Sequence, residues 1–176
     1  MSFAKHTESR SIPAKQRGAS LLESIAFLGI AAIVVLGAIA LLMSGFSGAN
    51  TNRALEEVGA VRTGVKRLYM GQSASYGDAV LNQSLIDAKV FPTTLAVQGA
   101  NVLNAWNGAV TVTGQNANFE ILYANVPKDV CINMASSSGD WLAMSVNGTA
   151  LAIPVTPAAA SDACNASAND MAWTAN

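Results

Sequence analysis

The most restrictive feature of this chain is a long stretch without charge near its N-terminus. No Asp, Glu, Lys or Arg occurs from Ser24 to Asn52, and the 19 residues from Ile25 to Met43 include no strongly polar side chain. A helix of that length extends about 28 Å, close to the roughly 30 Å hydrocarbon core of a bilayer. The run therefore predicts a helix that can cross a membrane.

Charge is distributed unequally on the two sides of this run. Residues 1–18 contain four basic side chains and one glutamate, a net charge of +3, whereas residues 19–176 contain six basic and ten acidic side chains, a net charge of −4. Basic residues beside an apolar helix are retained on the cytoplasmic side. The pattern predicts that residues 1–18 are cytoplasmic and that the rest of the chain lies outside.

Composition excludes several classes of function. Charged residues make up only 12 % of the 176 residues, against roughly 25 % in average soluble chains. The net charge of −1 gives no reason to expect contact with nucleic acid, which requires a basic patch. His6 is the single histidine, so a histidine base or a histidine metal site in the folded body is excluded. Since no phosphate loop, nucleophile motif or spaced metal ligands occur either, we expect neither an enzyme nor a bound cofactor.

Three interpretations of the apolar run are open. A cleaved signal peptide has a shorter apolar region of about 7–15 residues, although Ser44–Ala49 could serve as a poor cleavage region. A plain single-pass anchor fits the length well. The third interpretation starts from the segment Lys15–Ile25, in which Gly18 follows basic residues and a lone glutamate, Glu23, begins the uncharged helix. An ionisable group beside a membrane-depth segment is costly and calls for a partner or a role.

Glu23 also has a purely structural interpretation. Ser20-Leu-Leu-Glu23 matches a helix capping box, in which the two polar side chains satisfy free backbone donors. A carboxylate in the first turn also interacts favourably with the helix dipole. The basic leader, Arg17-Gly18 and the apolar run argue for a functional role as well.

Taken together, Arg17-Gly18 followed by Ala-Ser-Leu-Leu-Glu-Ser resembles the peptidase site of type IV prepilins. The resemblance implies that prepilin peptidase cleaves between Gly18 and Ala19, that Ala19 is then N-methylated, and that Glu23 is required for assembly. The leader of 18 residues and the small Ala19 resemble the type IVb branch, which includes bundle-forming, toxin-coregulated and conjugative thin pili. The chain then divides into a cleaved leader at 1–18, a membrane and filament-core helix at 19–48, and a globular head at 49–176.

The same resemblance implies a structural function. The chain would be the major subunit of a type IVb pilus, first held in the bacterial inner membrane with its head in the periplasm and later stacked into an extracellular filament for adhesion, aggregation or conjugation. Its partners would be further copies of itself, prepilin peptidase, the inner-membrane assembly machinery and, before assembly, the lipid bilayer. Alternatives are a minor pilin or a type II secretion pseudopilin, and, in another class, a secreted or single-pass anchored binding domain.

The residues after the apolar run predict an amphipathic continuation of the helix. Apolar residues recur there at three- and four-residue steps, flanked by charged side chains. They are Leu55, Val58, Val61, Val65 and Leu68. Gly45 and Gly48 separate the two halves and lower helix propensity by up to about 1 kcal/mol each, so we expect a kink there or a stretch that unfolds on assembly. In pilins this second half packs against a sheet.

Turn signals and alternation predict an α+β head with an antiparallel sheet. Asp78 would cap a second helix that extends to Val90 and ends before Pro92. Alternating residues predict a hairpin with strands at 109–113 and 119–123. The remaining predicted elements are helices at 127–136 and 156–164 and strands at 141–146, 151–155 and 171–174.

Two cysteines, Cys131 and Cys164, fall in the exported part of the chain. An even pair in an oxidising compartment usually forms a disulfide, and this one would attach the C-terminal segment to the head. Free buried cysteines are the alternative. The tryptophans Trp106, Trp141 and Trp173 are expected in the core or in subunit contacts rather than on a ligand platform.

Overall fold

A computed structural model describes residues 20–71, 75–137 and 139–176, without the side chain of Ser44. The predicted peptidase site, Gly18 and Ala19, lies outside the described residues. Contacts divide the chain into two units, Met1–Leu42 and Met43–Asn176. The second unit contains the head. The described residues form four helices and seven strands, named in chain order below.

Helix α1 extends over 48 residues, Leu21–Leu68. Its first half contains an 18-residue window with a mean hydropathy of 2.9 and no buried residue, long and apolar enough to cross a membrane. The backbone is helical through Gly45 and Gly48, and a kink there or unfolding on assembly stays a prediction. One glycine lowers helix stability by about 1 kcal/mol relative to alanine, and the helix propensity of the neighbouring Leu, Ala and Met residues offsets that cost.

The second half of α1 packs one face against the head. Ala54, Val58, Val61 and Val65 are each at most 2 % exposed. They repeat at steps of four, three and four residues, as one face of a helix requires. The predicted stripe was right for the three valines and wrong at its ends, where Leu55 is only half-buried and Leu68 is 39 % exposed.

The head is built around a five-stranded antiparallel sheet. Its strands are β3 (Val110–Gln115), β4 (Asn118–Pro127), β5 (Ala143–Val146), β6 (Thr149–Leu151) and β7 (Ala168–Ala175). Their order across the sheet is β3-β4-β7-β5-β6. Strand β4 pairs with β7 in a register that places Ile121 beside Trp173, with a shift between Tyr123 and Val126. Alternate side chains of β3, β4 and β7 are buried, because successive residues of a strand point to opposite faces.

Three short helices and a small hairpin complete the head. The helices are α2 (Asn82–Asp87), α3 (Lys128–Ser136) and α4 (Pro157–Ala163). The hairpin, which was not predicted, joins β1 (Ala96–Gln98) to β2 (Asn101–Leu103), and Gly99 in its turn has a φ of 62° that favours glycine. Strands β1 and β2 have three residues each, too few to show alternation in the sequence.

The second helix is shorter than predicted, and Asp78 does not cap it. Residues before Asn82 pair instead with the outer edge of β3, where the Leu81 N–H donates to the Val112 carbonyl at 2.8 Å. The Asn82 amide donates to the Val110 carbonyl and accepts from the Val112 N–H, both at 2.8 Å. These bonds satisfy the free edge of the sheet, which explains why residues 78–81 pair with β3 and do not form the first turn of the predicted helix.

The other boundaries differ by a few residues. Strand β4 extends beyond Tyr123 to Pro127, β7 begins at Ala168, and the strand predicted at 141–146 is β5. The strand predicted at 151–155 was wrong in its bounds, because β6 lies at Thr149–Leu151 and residues 152–155 form no strand. Helix α4 matches its prediction closely, with Pro157 in its first turn and the Thr156 hydroxyl accepting from the Ala159 N–H at 3.3 Å. The fold class, α+β with a long N-terminal helix packed on an antiparallel sheet, is confirmed.

Candidate functional site

The first half of α1 presents apolar side chains on every side. Phe27 is 72 % exposed, Ile33 73 % and Leu41 77 %. A helix that is apolar all round is stable only in lipid or among other apolar helices. The described part of the first unit therefore has a surface suited to lipid or to other apolar helices.

Glu23 lies in the first turn of this helix and is exposed. Ser20 precedes the first helical residue, so the two residues occupy the positions of a capping box. Within the described residues, however, neither side chain makes a hydrogen bond, and the Ser20 carbonyl accepts the first helical bond from the Ser24 N–H at 3.0 Å. Among residues 20–52 this carboxylate is the one charged side chain, and the apolar surface beside it extends over about five helical turns.

In the second unit, a buried carboxylate joins α1 to the sheet. Glu57 is 3 % exposed and accepts a hydrogen bond from the Tyr123 hydroxyl of β4, itself 1 % exposed. Its other oxygen accepts from Arg53 Nε at 2.9 Å, one helical turn earlier. Arg53 also donates to the Thr94 carbonyl, so one network connects α1, β4 and the segment before β1.

This network determines the protonation of Tyr123. Burial raises the pKa of the Tyr123 phenol above its ordinary value, and the hydrogen bond to Glu57 raises it further. A deprotonated phenol would stand next to a buried carboxylate, and like charges at that distance disfavour ionisation. Tyr123 therefore remains a neutral donor to Glu57 at all physiological pH values.

Sequence reasoning missed this network. Arg53 and Glu57 are four residues apart, a spacing that does predict a helical ion pair. The burial of Glu57 and its partner Tyr123, 66 positions later, depend on the packing of α1 on β4. The sequence has no signal for a contact at that separation.

The two cysteines form the predicted disulfide. Cys131 in α3 and Cys164 at the end of α4 are bonded, with Cα atoms 5.9 Å apart, and both are fully buried. The alternative of free cysteines is therefore wrong. The bond connects α3 to the segment that leads into β7.

A buried asparagine organises the same region. Asn169 is fully buried; its amide donates to the Ala166 carbonyl at 2.9 Å and the Val126 carbonyl at 3.3 Å. Its oxygen accepts from the Asn147 amide at 2.9 Å. The start of β7 is thus held by buried polar contacts as well as by the disulfide.

Trp173 is a core residue, as expected, and Trp106 and Trp141 are half-buried. Trp173 is 1 % exposed and contacts Tyr123 edge-on, with ring centres 6.5 Å apart. Trp141 is half-buried beneath the Arg62 guanidinium, which lies 4.7 Å from its ring centre. Trp106 packs edge-on against Tyr123. In the part of the chain that the structure describes, no group of His, Cys, Asp or Glu side chains is arranged to bind a metal.

With this geometry described, the comparisons with known proteins can be stated. The sequence profile of the family described as PilS N terminal matches residues 48–176. The chain belongs to the PilS N-terminal family. The match covers the second half of α1 and all of the head.

Two solved structures share the fold. A type IVb pilin from Salmonella typhi superposes with a TM-score of 0.57 at 21 % identity, over 68 % of this chain and 95 % of that one. TcpA, a type IV pilin from Vibrio cholerae El Tor biotype, gives a TM-score of 0.54 at 12 % identity, over 73 % of this chain and 99 % of that one. No curated protein sequence matches the chain. The fold is that of type IVb pilins.

Removing the hydroxyl that binds Glu57 tests the buried network of this pilin head. We expect Tyr123→Phe to lower the free energy of unfolding by about 1.5–3 kcal/mol, since a buried carboxylate loses a charged hydrogen bond. Adding Glu57→Met should recover most of that loss, because both polar partners are then gone. Urea unfolding of the full chain in detergent measures both. Tyr76→Phe is the matched control, with an expected change within about 0.5 kcal/mol; additive losses in the double variant would contradict the prediction.

Removing the disulfide should destabilise the head. The bond closes a loop across 33 positions, for which chain entropy gives about 3–4 kcal/mol of stabilisation. We expect the chain with Cys131→Ser and Cys164→Ser to lose that amount, to match the reduced wild type, and to become protease-sensitive near β7. Alkylation of non-reduced wild-type protein checks the bond itself. Two alkylated cysteines would refute it.

Proposed function

We propose that this protein is the major structural subunit of a type IVb pilus. The observation that carries the proposal is the combination of a head in the PilS N-terminal family with an N-terminal helix that is apolar on every side. Such a helix needs lipid before assembly and other copies of itself afterwards. The function is assembly rather than catalysis.

The precursor would be held in the inner membrane by α1. The net charge of +3 in residues 1–18 supports a cytoplasmic leader, and the disulfide supports a head that folds in the oxidising periplasm. In this proposal, prepilin peptidase removes residues 1–18 and the assembly machinery moves the mature chain, beginning at the methylated Ala19, into an extracellular filament.

Glu23 would determine the axial position of each subunit. When apolar helices pack together, a carboxylate near their ends is removed from water and must be paired to avoid a large desolvation cost. The amine of Ala19 on the neighbouring subunit is a cation of the required charge. The pair would form only when neighbouring helices are offset correctly, which makes Glu23 a residue for register.

Processing is the first test of this proposal. We expect mass spectrometry to find a mature chain that begins at Ala19 with an N-methyl group. Gly18→Val should block cleavage while leaving membrane insertion intact, because a side chain obstructs the peptidase. Gln16→Ala, two residues upstream, is the control and should be cleaved. A mature start near Ala49, or an intact residue 1, would indicate a signal peptide or a plain anchor instead.

Assembly is the second test. We expect Glu23→Val cells to insert the subunit normally but to lose filaments, because breaking a buried charge pair costs about 3–5 kcal/mol. Glu56→Gln removes another exposed glutamate of α1, outside the apolar run, and should assemble normally. Electron microscopy and the yield of sheared filaments measure the outcome. Normal filaments from Glu23→Val cells would show that Glu23 acts only as a helix cap. If this protein is only a trace component of purified wild-type filaments, it is a minor pilin or a pseudopilin.

A further inference from the structure

A cleft opens at the base of the head, where the apolar run of α1 ends. It has a volume of about 240 Å³ and lies entirely within the second unit. One wall is formed by residues 43–50 of α1. The other wall is formed by Trp106, in the loop between β2 and β3, and by Pro127 and Val130 at the start of α3.

This cleft continues the face of α1 that the head covers further along. Met43, Ser47 and Asn50 line it and follow each other at steps of four and three residues. Ala54, the first residue of the buried stripe, lies four residues after Asn50, on the same face of the helix. Near the cleft that face is not covered, since Met43 is 69 % exposed and Phe46 61 %. The packing surface of α1 thus extends beyond the head that packs on it, and uncovered apolar surface of this kind indicates a binding or membrane contact.

Position in the chain places the cleft at the boundary between lipid hydrocarbon and water. The run from Ile25 to Met43 is long enough as a helix to cross the hydrocarbon core, so Met43 lies at the end of that core on the side of the head. Residues 44–48 then lie in the polar headgroup layer, which is roughly 5–8 Å thick. Trp106 faces this part of α1 across the cleft and therefore lies at a similar depth.

Trp106 has the side chain that such a boundary favours. Its ring is half-buried and packs edge-on against Tyr123, with ring centres 6.5 Å apart. Within the part of the chain that the structure describes, its hydrogen bonds involve only the backbone, so the indole N–H is left for an external oxygen. Tryptophan is enriched at membrane interfaces because its ring is apolar and its N–H is polar.

The loop that carries Trp106 is fixed by hydrogen bonds. Asn104 is buried, and its side-chain oxygen accepts from the backbone N–H groups of Trp106 and Gly108, both at 2.9 Å. The Asn104 amide donates to the Ala124 carbonyl at 2.7 Å, and the Asn125 amide donates to the Trp106 carbonyl at 2.6 Å. A side chain that is already ordered loses little conformational entropy on binding, which favours association.

Charge does not select the occupant of this cleft. Asp129 is the one charged residue that lines it, and its carboxylate accepts a hydrogen bond from the Ser47 hydroxyl. The neighbouring Lys128 is exposed and offsets that charge. Burial of apolar surface is therefore what an occupant gains here, as a lipid acyl chain does.

We propose that this cleft binds a phospholipid of the periplasmic leaflet and that Trp106 holds the base of the head at the membrane surface before assembly. The inference rests on the proposed function, in which α1 holds the precursor in the inner membrane. The part of the acyl chain next to the glycerol covers Met43 and Phe46, and the indole N–H donates to an ester or phosphate oxygen. A lipid is the occupant because one wall of the cleft is the continuation of the helix that the bilayer surrounds.

Fluorescence quenching in vesicles tests the contact. The full chain is inserted into vesicles of phosphatidylethanolamine and phosphatidylglycerol that contain a lipid with a nitroxide near the glycerol end of its acyl chain. We expect the nitroxide to quench tryptophan emission of the wild type, and Trp106→Phe to lose most of that quenching, because Trp141 and Trp173 do not line the cleft. Trp141→Phe is the matched control and should keep the quenching.

A fluorescent label beside Trp106 gives an independent measurement. The chain has two cysteines and both are in the disulfide, so an introduced cysteine is the single free thiol. An environment-sensitive label on Ala105→Cys, an exposed position in the same loop, should shift its emission to the blue when the chain enters vesicles. Ala117→Cys, exposed in the turn at the other end of β3, is the control and should show no shift. An intact disulfide verifies folding of every variant.

The outcomes separate this inference from the proposed function. Release of the wild-type chain from vesicles by an alkaline wash would refute the membrane-held precursor, and this inference with it. A chain that stays in the vesicles without quenching of Trp106, or without a shift of the label at position 105, would overturn the lipid contact alone. Shielding of these two positions only in sheared filaments would also overturn it, since a second copy of the chain would then fill the cleft.

Discussion

The head depends on the packing of a single helical face against an antiparallel sheet. Ala54, Val58, Val61 and Val65 provide the apolar part of that contact, and the bond between Glu57 and Tyr123 lies within it. Close packing of small side chains allows α1 and β4 to approach each other. The buried Glu57 carboxylate then needs the Tyr123 hydroxyl and the Arg53 guanidinium within hydrogen-bond distance. The network thereby specifies one arrangement of helix, sheet and the segment before β1.

The same helix has two different surfaces along its length. From Ile25 to Met43 it is apolar on all sides, whereas from Arg53 to Leu68 one face is buried and the charged side chains lie mainly on the exposed faces. The apolar half is suited to lipid or to other apolar helices, whereas the second half is fixed to the head by its buried face.

The C-terminal part of the head shows how weak local sequence is compensated. Residues 158–172 are rich in Ala, Ser, Asn and Asp, which provide little apolar area to bury. The structure stabilises this part through the bond between Cys131 and Cys164, through the buried Asn169 and through Trp173 at the centre of the core. Strand β7 can therefore occupy the middle of the sheet, between β4 and β5.

Local patterns in the sequence determined the long helix and the antiparallel hairpin of β3 and β4, because residue spacing encodes both. They also determined helix α4, through its Thr156 cap, and the pairing of the two cysteines, through the cysteine count. The family resemblance rests on the spacing of residues around Gly18. The tertiary structure alone decided that Ala54 rather than Leu55 faces the core, that residues 78–81 pair with β3 instead of entering a helix, and that Glu57 meets Tyr123. It also brought three basic residues of α1 together with Met134 and Trp141 to form a groove. These features depend on contacts between residues distant in sequence, whose free energy arises only when the helix and the sheet are already packed.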